Sequence, residues 1–550
     1  MPEDNPVIAR HRLAQLSVLP AHTDTRIAAR IGGAQTGASA AAGTGQLVIG
    51  ISGARRNATV AACSRGTLVA VCEQERLSRM RGVPLERGRL PVEAVEAVLR
   101  LAGERHPSEV HLYAVAEEAA VLPAELRVAR VEHHKAHAAS AFYTSPFERA
   151  AVLVCDRHSN PCTSVWVADG AGLQHVASVD AAGGGLAGLY SDCARVFGFG
   201  AGQEHRLEAL ARLDRGREAD GFDRVRKGAA GSEGGLLALV AEWLAAQNGQ
   251  EPLRHRAQVA SAFQAYVGRR LLETVSDARA STGMRHLCVA GGLFYNTCFN
   301  TMIRQSGIFD DVFVAPNPGN AGLACGAALV AAEPLDRRAP LAVSPFLGPE
   351  YDPHEIKCTL ENCKLSYDYG DERQVIAATV DALQRGQLVG WFQGRMEWGH
   401  RALGNRSILA SPLSSYVLDN LNVFLKQRER HRTYGVSVPE ADASVWFLGP
   451  PRARFMEFEY EVIDRERFRN LLPDGATTVR VQTIPEDDAA FRRYLLLHRA
   501  FGQATGVPVL VNTSFNGFSE PIVCSPRDAI RVFFGTGLDM LVLDRFIVRK

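Results

Sequence analysis

Two histidines at helical spacing are the first residues whose types suggest chemistry. In the stretch Glu132-His-His-Lys-Ala-His137, His133 and His137 are four residues apart, so both project from one face of a helix. Two neutral imidazoles on one face suit a transition metal if a third ligand comes from elsewhere. His134 lies off that face and would have another role. A hydrogen-bonded histidine cluster at a helix start is the alternative interpretation of the same spacing.

Two glycine-containing loops could let the backbone approach a ligand. Gly291 and Gly292 follow an apolar run and precede Asn296, an arrangement that suits a phosphate or nucleotide. A tight turn explains this loop equally well. The second loop runs from Pro316 into a helix of small residues and has Asn320 at its tip. It indicates either a ligand loop or a closely packed helix start.

Basic residues gather in a glycine-punctuated loop of the C-terminal part, with further polar groups after a later strand. Arginine guanidinium groups bind phosphate oxygens in pairs, and a flexible loop lets several arginines converge on one anion. Ligand sites of α/β proteins lie at strand ends. We therefore predict a polyphosphate or acyl phosphate site, with a solvated basic face as the alternative. Its residues are Arg395, Arg401, Asn405, Arg406, Ser407, Lys426, Arg428, Asn512, Thr513, Ser514 and Asn516.

The elements that position these residues alternate along the chain. Apolar strand-like runs such as 47–52, 151–155 and 286–289 are separated by helical stretches, which predicts an α/β protein. A chain of 550 residues exceeds one core of roughly 250–300 residues. We predict a flexible extension at 1–45, one domain at 46–345 and a second at 346–550, divided by a proline-rich connector. No internal repeat is apparent.

Composition excludes several classes of protein. The 61 basic and 60 acidic residues give a net charge of only +1, without the basic excess that drives nonspecific nucleic-acid binding. We find no apolar run of about 18 residues that would cross a membrane and no signal core. The eleven cysteines contain no C-x-x-C pair and are expected to be buried thiols in a reducing compartment. We therefore expect a cytoplasmic protein without nucleic-acid or membrane partners.

Five segments together resemble a known family. They are EHHKAHAASAFYTSPF (132–147), VAGGLFYN (289–296), GWFQGRMEWGHRALGNRSILASP (390–412), LNVFLKQRE (421–429) and GVPVLVNTSFNGFSEPIV (506–523). Over nearly all of residues 46–550, the chain resembles the O-carbamoyltransferases of nodulation and antibiotic tailoring. The resemblance implies an actin/Hsp70-like N-terminal domain, similar to the domain that transfers threonylcarbamoyl to tRNA. It also implies a C-terminal domain similar to the YrdC-type synthase of carbamoyl-type adenylates.

The resemblance also implies an activity for each domain. The C-terminal domain would form carbamoyl-adenylate from carbamoyl phosphate and ATP, with Mg²⁺ accompanying ATP. Its signature K-x-R…S-x-N corresponds to Lys426, Arg428, Ser514 and Asn516. The N-terminal domain would transfer the carbamoyl group to a hydroxyl of a small secondary metabolite, with iron(II) or another divalent metal at His133 and His137. His134, beside them, is the candidate catalytic residue of that domain.

The N-terminal half departs from the family pattern, and the C-terminal half mostly keeps it. The metal-binding Asp of the family is Asn320, its early His-Asp pair is Arg56-Asn57, and its D-G-x-G-E loop reads Asp156-Arg-His-Ser-Asn160. In the C-terminal half a proline is replaced by His400. Three hypotheses follow: a carbamoyltransferase with a modified acceptor site, an ATP-dependent enzyme of the same architecture with other transfer or ligation chemistry, or a partner subunit with a degraded transfer site. A homodimer or a pairing with a paralogue is compatible with each.

Overall fold

The strands of the N-terminal half form two five-stranded sheets with the same topology. The computed structural model describes residues 47–104, 106–157, 159–180, 184–214, 233–246, 252–332, 344–473 and 475–550. The predicted extension at 1–45 lies outside these residues. In each sheet the first three strands are antiparallel neighbours, and the fourth and fifth strands follow parallel to the first on its other side.

The first sheet has the order β3-β2-β1-β4-β5, and the second has the order β10-β9-β6-β7-β8. The first sheet comprises β1 (Leu47–Ser52), β2 (Thr59–Ser64), β3 (Thr67–Glu73), β4 (Leu112–Val115) and β5 (Val128–Arg130). The second comprises β6 (Ala150–Cys155), β7 (Thr163–Asp169), β8 (Gly172–Val179), β9 (His286–Ala290) and β10 (Asp311–Val314). The structure thus contains a repeat that the sequence does not show, because strand order depends on backbone pairing and apolar pattern and leaves the individual side chains free to diverge.

The C-terminal half contains a ten-stranded mixed sheet of order β11-β20-β19-β12-β13-β18-β14-β17-β16-β15. Its strands are β11 (Asp368–Tyr369), β12 (Val389–Phe392), β13 (Arg406–Ala410), β14 (Gly435–Pro439), β15 (Phe447–Leu448), β16 (Glu459–Val462), β17 (Thr478–Ile484), β18 (Leu510–Ser514), β19 (Met540–Leu543) and β20 (Phe546–Arg549). Strands β12 and β13 are buried along their whole length, so the loop between them begins and ends on a rigid part of the sheet.

Helices cover the sheets, which confirms the predicted α/β class. They are α1 (Gln74–Ser78), α2 (Val92–Ala102), α3 (His133–Phe142), α4 (Gly185–Val196), α5 (Glu204–Ala211), α6 (Glu233–Ala245), α7 (Pro252–Thr282), α8 (Thr297–Gln305), α9 (Leu323–Ala331), α10 (Pro353–Asn362), α11 (Glu372–Gln384), α12 (Val417–Asp419), α13 (Ala443–Trp446), α14 (Arg492–Thr505) and α15 (Pro526–Phe534). Of the described residues, no helix has the length and apolar character needed to cross a bilayer.

Small residues bring helix α9 into close contact with its neighbours. A Cβ atom at Gly326 would lie 1.8 Å from the carbonyl oxygen of Ala136 in α3, and one at Gly50 would lie 1.8 Å from that of Ala324. Helix α9 is therefore wedged between strand β1 and the histidine-bearing helix α3. The small residues that follow Asn320 thus serve packing, the second of the two interpretations offered for that loop.

Candidate functional site

The histidines lie at the start of helix α3 because Glu132 caps it. The carboxylate of Glu132 accepts hydrogen bonds from the backbone N–H groups of His134 and Lys135 at 2.8 and 2.7 Å, as an N-cap residue does. The helix begins at His133, so His133 and His137 lie one turn apart, with ring centroids separated by 4.9 Å. The predicted common face is present in the structure.

Asp156 completes this cluster. It directly follows strand β6, and its Oδ2 lies 2.9 Å from Nε2 of His133. One ligand atom from each of His133, His137 and Asp156 lies within 4.8 Å of the others. Burial lowers the pKa of His133, but the hydrogen bond and charge of Asp156 outweigh it and raise that pKa above its ordinary value. The cluster therefore contains a carboxylate although position 320 is an asparagine.

His137 is the strongest sign of a metal in this cluster. It is fully buried, and within the described part of the chain neither ring nitrogen has a hydrogen-bond partner, although the Asn320 side chain lies beside it. Burial, followed by the charge of His133, lowers its pKa to about 3, so the ring is neutral and ready to donate a lone pair. His498 is also fully buried, yet its nitrogens contact Ser437 Oγ and the Tyr494 carbonyl, each at 2.9 Å.

The contrast between these two histidines has a chemical explanation. A buried imidazole left without partners is costly, and a divalent metal would satisfy His137 as hydrogen bonds satisfy His498. Two imidazoles and one carboxylate are a common donor set for zinc and non-haem iron. The residues His133, His137 and Asp156 therefore fit a divalent transition metal, and Asn320 is a neighbour of His137.

His134 has a different environment, as its off-face position predicts. Its Nδ1 lies 2.6 Å from Ser164 Oγ, and its Nε2 lies 2.7 Å from Ser159 Oγ. Burial and the charge of His133 lower its pKa to about 4. Its two ring nitrogens are thus occupied by serine hydroxyls, and its catalytic role stays a prediction.

In the 291–296 loop, three residues were predicted to bind a ligand: Gly291, Gly292 and Asn296. Two of them, Gly291 and Asn296, have structural roles. Gly291 has φ +104°, and a Cβ there would lie 1.9 Å from the Cys155 carbonyl oxygen, so only glycine fits. Asn296 is buried and caps helix α8 by accepting from the N–H groups of Cys298 and Phe299. At Gly292 an added Cβ would meet no atom within 4 Å, which leaves its backbone open to a ligand.

Lys426, Ser514 and Asn516 come together as the sequence motif predicts. Lys426 Nζ donates to the Ser514 carbonyl at 2.6 Å and to the carbonyl and Oδ1 of Asn516 at 3.0 and 2.6 Å. Ser514 Oγ donates to the same Oδ1 at 2.8 Å. Burial, then the charges of Arg428 and Arg81, lowers the pKa of Lys426 well below its ordinary value. A buried amine among neutral oxygens and other cations is suited to an anion.

The structure does not bring Arg395, Arg401 and Arg406 together on one anion. Arg406 is fully buried and donates to four carbonyls, those of Gln393, Gly394, Asn405 and Pro349. Arg395 donates to the carbonyls of Val69, Leu347 and Gly348. These two arginines hold the chain itself, because one guanidinium group can donate to several main-chain carbonyls at once.

Most of the other residues predicted for this site also form hydrogen bonds within the protein itself. Asn405 donates to the Arg395 carbonyl at 2.7 Å, and Asn512 donates to Gln482 at 2.9 Å. Ser407 Oγ accepts from the Gly404 N–H at 3.0 Å. Thr513 pairs with Ile408 in the sheet and is half-buried, next to Ser514.

Arg401 instead belongs to a group of basic residues that we call the basic cleft: His205, Arg401, Lys426, Arg428, Arg432 and Arg480. The Nε atoms of Arg401 and Arg480 are buried without a hydrogen-bond partner among the described residues. Burial and then the charge of Arg401 lower the pKa of Arg480 well below its ordinary value. Desolvation and the charges of four arginines, Arg432, Arg401, Arg81 and Arg428, lower the pKa of His205 although its side chain is exposed. A group of basic side chains this close together favours an anion.

Sequence reasoning missed Arg432, Arg480 and Asp156 as site residues. Arg480 lies in strand β17, and Arg432 precedes β14, neither in a segment with a motif. Asp156 was noted only as the first residue of a diverged loop. Its position directly after a buried strand was the available signal, since strand ends carry ligand sites in α/β proteins.

Tyr295 and His400 lie between the two groups of residues. Their rings are in edge contact at 4.6 Å, and Tyr295 Oη donates to Asn317 Oδ1 at 2.5 Å. Burial raises the pKa of Tyr295, with contributions from the charges of Glu73 and Asp156. Burial, followed by the charge of Arg401, lowers the pKa of His400 well below its ordinary value. The two contacting rings therefore lie within electrostatic reach of both the basic cleft and the histidine cluster.

A second group with metal-ligating residues is instead an ion-pair network. Glu208, Cys298 and Glu459 are close together and buried, but Arg212 lies between the carboxylates at 2.5 Å from each. Their charges, against burial, raise the pKa of Arg212. The arginine supplies the cation, and the network joins the N-terminal half to strand β16.

Comparison with known proteins identifies the family. Residues 380–550 match the family model described as carbamoyltransferase C-terminus, and residues 91–220 and 239–329 match that of the carbamoyltransferase N-terminus. The chain is 34% identical over 446 residues to nodulation protein NolO of Bradyrhizobium diazoefficiens, covering 76% of this chain and 79% of that protein. Nodulation protein NolNO of Sinorhizobium fredii is 29% identical over 540 residues, 88% of this chain and 78% of that protein.

The chain therefore belongs to the carbamoyltransferase family and is a transferase. Among solved structures, full-length HypF in its phosphate- and nucleotide-bound form covers 54% of this chain and 56% of its own, with 13% identity and a TM-score of 0.36. A similarity of that size assigns no fold.

Proposed function

We propose that this transferase is an ATP-dependent O-carbamoyltransferase of natural-product biosynthesis that works in three balanced steps. Carbamoyl phosphate and water give carbamate and inorganic phosphate. A carbamate oxygen then attacks the α-phosphorus of ATP, which forms carbamoyl-adenylate and releases pyrophosphate. An acceptor hydroxyl finally attacks the carbamoyl carbon, which forms the carbamate ester and releases AMP with the hydroxyl proton passing to a base.

The observation that carries this proposal is the basic cleft. Lys426 is held by neutral oxygens of Ser514 and Asn516, and two arginines keep buried, unpaired Nε atoms nearby. Carbamoyl phosphate, ATP and pyrophosphate are all polyanions, and fixed cations at the phosphates stabilise the charge that develops during adenylation. Mg²⁺ would enter with ATP as part of the substrate.

The histidine cluster supports the transfer step. His133, His137 and Asp156 would hold a divalent metal, iron(II) or another, which acts as a Lewis acid that polarises a carbonyl oxygen. The contacting side chains of Tyr295 and His400 lie on the path that we propose for the adenylate from the basic cleft to the histidine cluster. They would keep water from the adenylate during this transfer. The carboxylate of Asp156 argues against a degraded transfer site.

The architecture supports the same proposal. The topology repeated in the two N-terminal sheets is the duplication that an actin/Hsp70-like domain has, and we assign that fold to residues 46–345. We assign residues 346–550 to a YrdC-like domain on the strength of the Lys426 motif. The acceptor is a small molecule with a hydroxyl group and the protein works in the cytoplasm, as a homodimer or with a paralogue.

The test is pyrophosphate exchange into ATP by the full chain, which reports adenylate formation. We expect exchange that requires carbamoyl phosphate and that Lys426→Ala abolishes. Lys357→Ala is the matched control, because Lys357 is an exposed lysine paired with Glu361. Exchange without carbamoyl phosphate would favour the alternative of other ligation chemistry, and exchange that survives Lys426→Ala would overturn the site assignment.

A further inference from the structure

The segment that follows strand β3 links the N-terminal half to the C-terminal site. Glu73 accepts a hydrogen bond from the Gly399 N–H at 2.9 Å, and Arg76 donates to the Gly399 carbonyl at 2.8 Å. Arg79 donates to the carbonyls of Ile522 and Pro521 at 2.6 and 2.7 Å. The three side chains therefore fix this segment against two loops of the C-terminal half.

A short series of hydrogen-bonded residues connects Arg79 with Lys426. Pro521 follows Glu520, whose carbonyl accepts from Asn516 Nδ2 at 2.6 Å. Asn516 Oδ1 in turn accepts from Lys426 Nζ at 2.6 Å. The N-terminal segment thus touches the loop that carries Asn516, the main partner of Lys426.

Arg81 lies two residues beyond Arg79 in a turn that is held on both sides. The Val83 N–H donates to the Met80 carbonyl at 3.4 Å, and the Gly82 N–H donates to Glu75 Oε2 at 2.8 Å. Arg76 and Arg79 have carboxylate partners in Glu73 and Asp528. Arg81 is exposed, and within the described parts of the chain it has no carboxylate partner.

The electrostatics show which side of the molecule Arg81 faces. Its charge contributes, after burial and Arg428, to the lowered pKa of Lys426. It also contributes to the lowered pKa of His205 in the basic cleft. Together with the hydrogen bonds of Arg79 to the loop that carries Asn516, these effects indicate that the exposed Arg81 lies near the basic cleft.

We infer that Arg81 is a phosphate-binding residue of the C-terminal site, contributed across the interface by the N-terminal half. The inference rests on the proposed function for the identity of the substrate. The guanidinium group would bind phosphate oxygens of ATP or of carbamoyl phosphate as these enter past Lys426. Arg79 anchors the segment and so sets the position of Arg81. Closure of the site would then require both halves of the chain.

The experiment compares Arg81→Ala and Arg81→Lys with Arg89→Ala in the full chain. Arg89 is an exposed arginine of the same half, paired with Glu86, so it controls for the loss of one surface charge. Calorimetric titration with ATP and with inorganic phosphate measures binding without turnover. We expect Arg81→Ala to weaken binding of at least one of them roughly tenfold, the size expected for a lost charge-assisted hydrogen bond. Arg81→Lys should be intermediate.

Exchange kinetics then separate the two sources of phosphate. A raised KM for ATP assigns Arg81 to the triphosphate, and a raised KM for carbamoyl phosphate assigns it to that substrate. Binding and kinetics of Arg81→Ala equal to those of Arg89→Ala would overturn the inference even if the wild type is active. The wild type could bind ATP but show no carbamoyl phosphate-dependent exchange, while Arg81→Ala no longer binds ATP. In that case the proposed function fails and the inference about Arg81 stands. A wild type that binds neither probe contradicts both.

Discussion

The histidine cluster and the basic cleft differ in the way the protein satisfies their polar groups. In the cleft, Arg432 is paired with Glu429 at 3.7 Å, but Lys426 has three contacts with neutral oxygens and Arg480 contacts the Thr433 carbonyl. In the cluster, His133 contacts the carboxylate of Asp156, and neither ring nitrogen of His137 has a hydrogen-bond partner in the part of the chain that the structure describes. One region has excess positive charge and the other has unused lone pairs.

The difference teaches which ligand each region requires. Excess positive charge next to neutral oxygens is satisfied by an anion, whereas unused lone pairs next to a carboxylate are satisfied by a cation. The contacting rings of Tyr295 and His400 lie within electrostatic reach of both regions. A chain that binds polyphosphate at one place and a metal at the other is consistent with separate adenylation and transfer steps.

Substitution of His137 should have the largest effect, a loss of metal binding, and it tests whether the histidine cluster is a metal site. We expect wild-type protein to bind about one equivalent of Co²⁺ with a visible d–d spectrum. Loss of one of three protein ligands in His137→Ala should weaken this binding by roughly a hundredfold or more. Absorption titration measures it, with His498→Gln as the matched control for a buried histidine. If His137→Ala and the wild type bind Co²⁺ with equal affinity, the assignment of a metal site to this cluster is wrong.

Arg406→Ala should reduce stability rather than act on ligand binding. It removes the donor of the Gln393 and Gly394 carbonyls, whereas the Asn405 and Pro349 carbonyls keep the backbone N–H groups of Gln393 and Met396. Each buried unsatisfied group costs about 1–3 kcal/mol. We therefore expect the free energy of unfolding to fall by about 3 kcal/mol or more, as measured by urea denaturation. If Arg406→Ala is as stable as the wild type but binds nucleotide less tightly, Arg406 is a ligand-binding residue and our structural assignment is wrong.

Arg401→Ala should show the opposite behaviour. Its Nε has no hydrogen-bond partner to lose, so the urea midpoint should change little, while kcat/KM for carbamoyl phosphate-dependent exchange falls about tenfold to a hundredfold. Measuring both quantities on Arg401→Ala and Arg406→Ala separates binding arginines from structural ones. A large loss of stability in Arg401→Ala would contradict the assignment.

The smallest expected effect concerns His498, the satisfied counterpart of His137. Burial lowers its pKa to about 4, whereas the unfolded chain takes up the proton near 6.5. Because the unfolded state binds more protons between these values, stability falls as the pH drops from 6.5 to 4, by up to about 1.4 kcal/mol per pH unit. Denaturation at several pH values should show a shallower fall in His498→Gln. Parallel curves would mean that His498 is not the neutral, hydrogen-bonded group described.

Local sequence patterns by themselves determined several parts of this protein. The alternation of apolar runs predicted the α/β class, and the spacing of His133 and His137 predicted their common face because helical periodicity is a local property. The family resemblance assigned the K-x-R and S-x-N motifs to one site, and the structure brings Lys426 together with Ser514 and Asn516. The order and length of the five matching segments indicated the carbamoyltransferase family.

Only the tertiary structure decided the rest. Asp156 is 23 residues from His133, and strand β6 places it there. Which arginines bind the chain itself depended on where the fold places main-chain carbonyls, so Arg395 and Arg406 donate to carbonyls while Arg401 lies near Arg480. The repeat of one sheet topology left no trace in the residues. Chain periodicity governs the local elements, whereas burial and the need to satisfy polar groups govern the meeting of distant side chains.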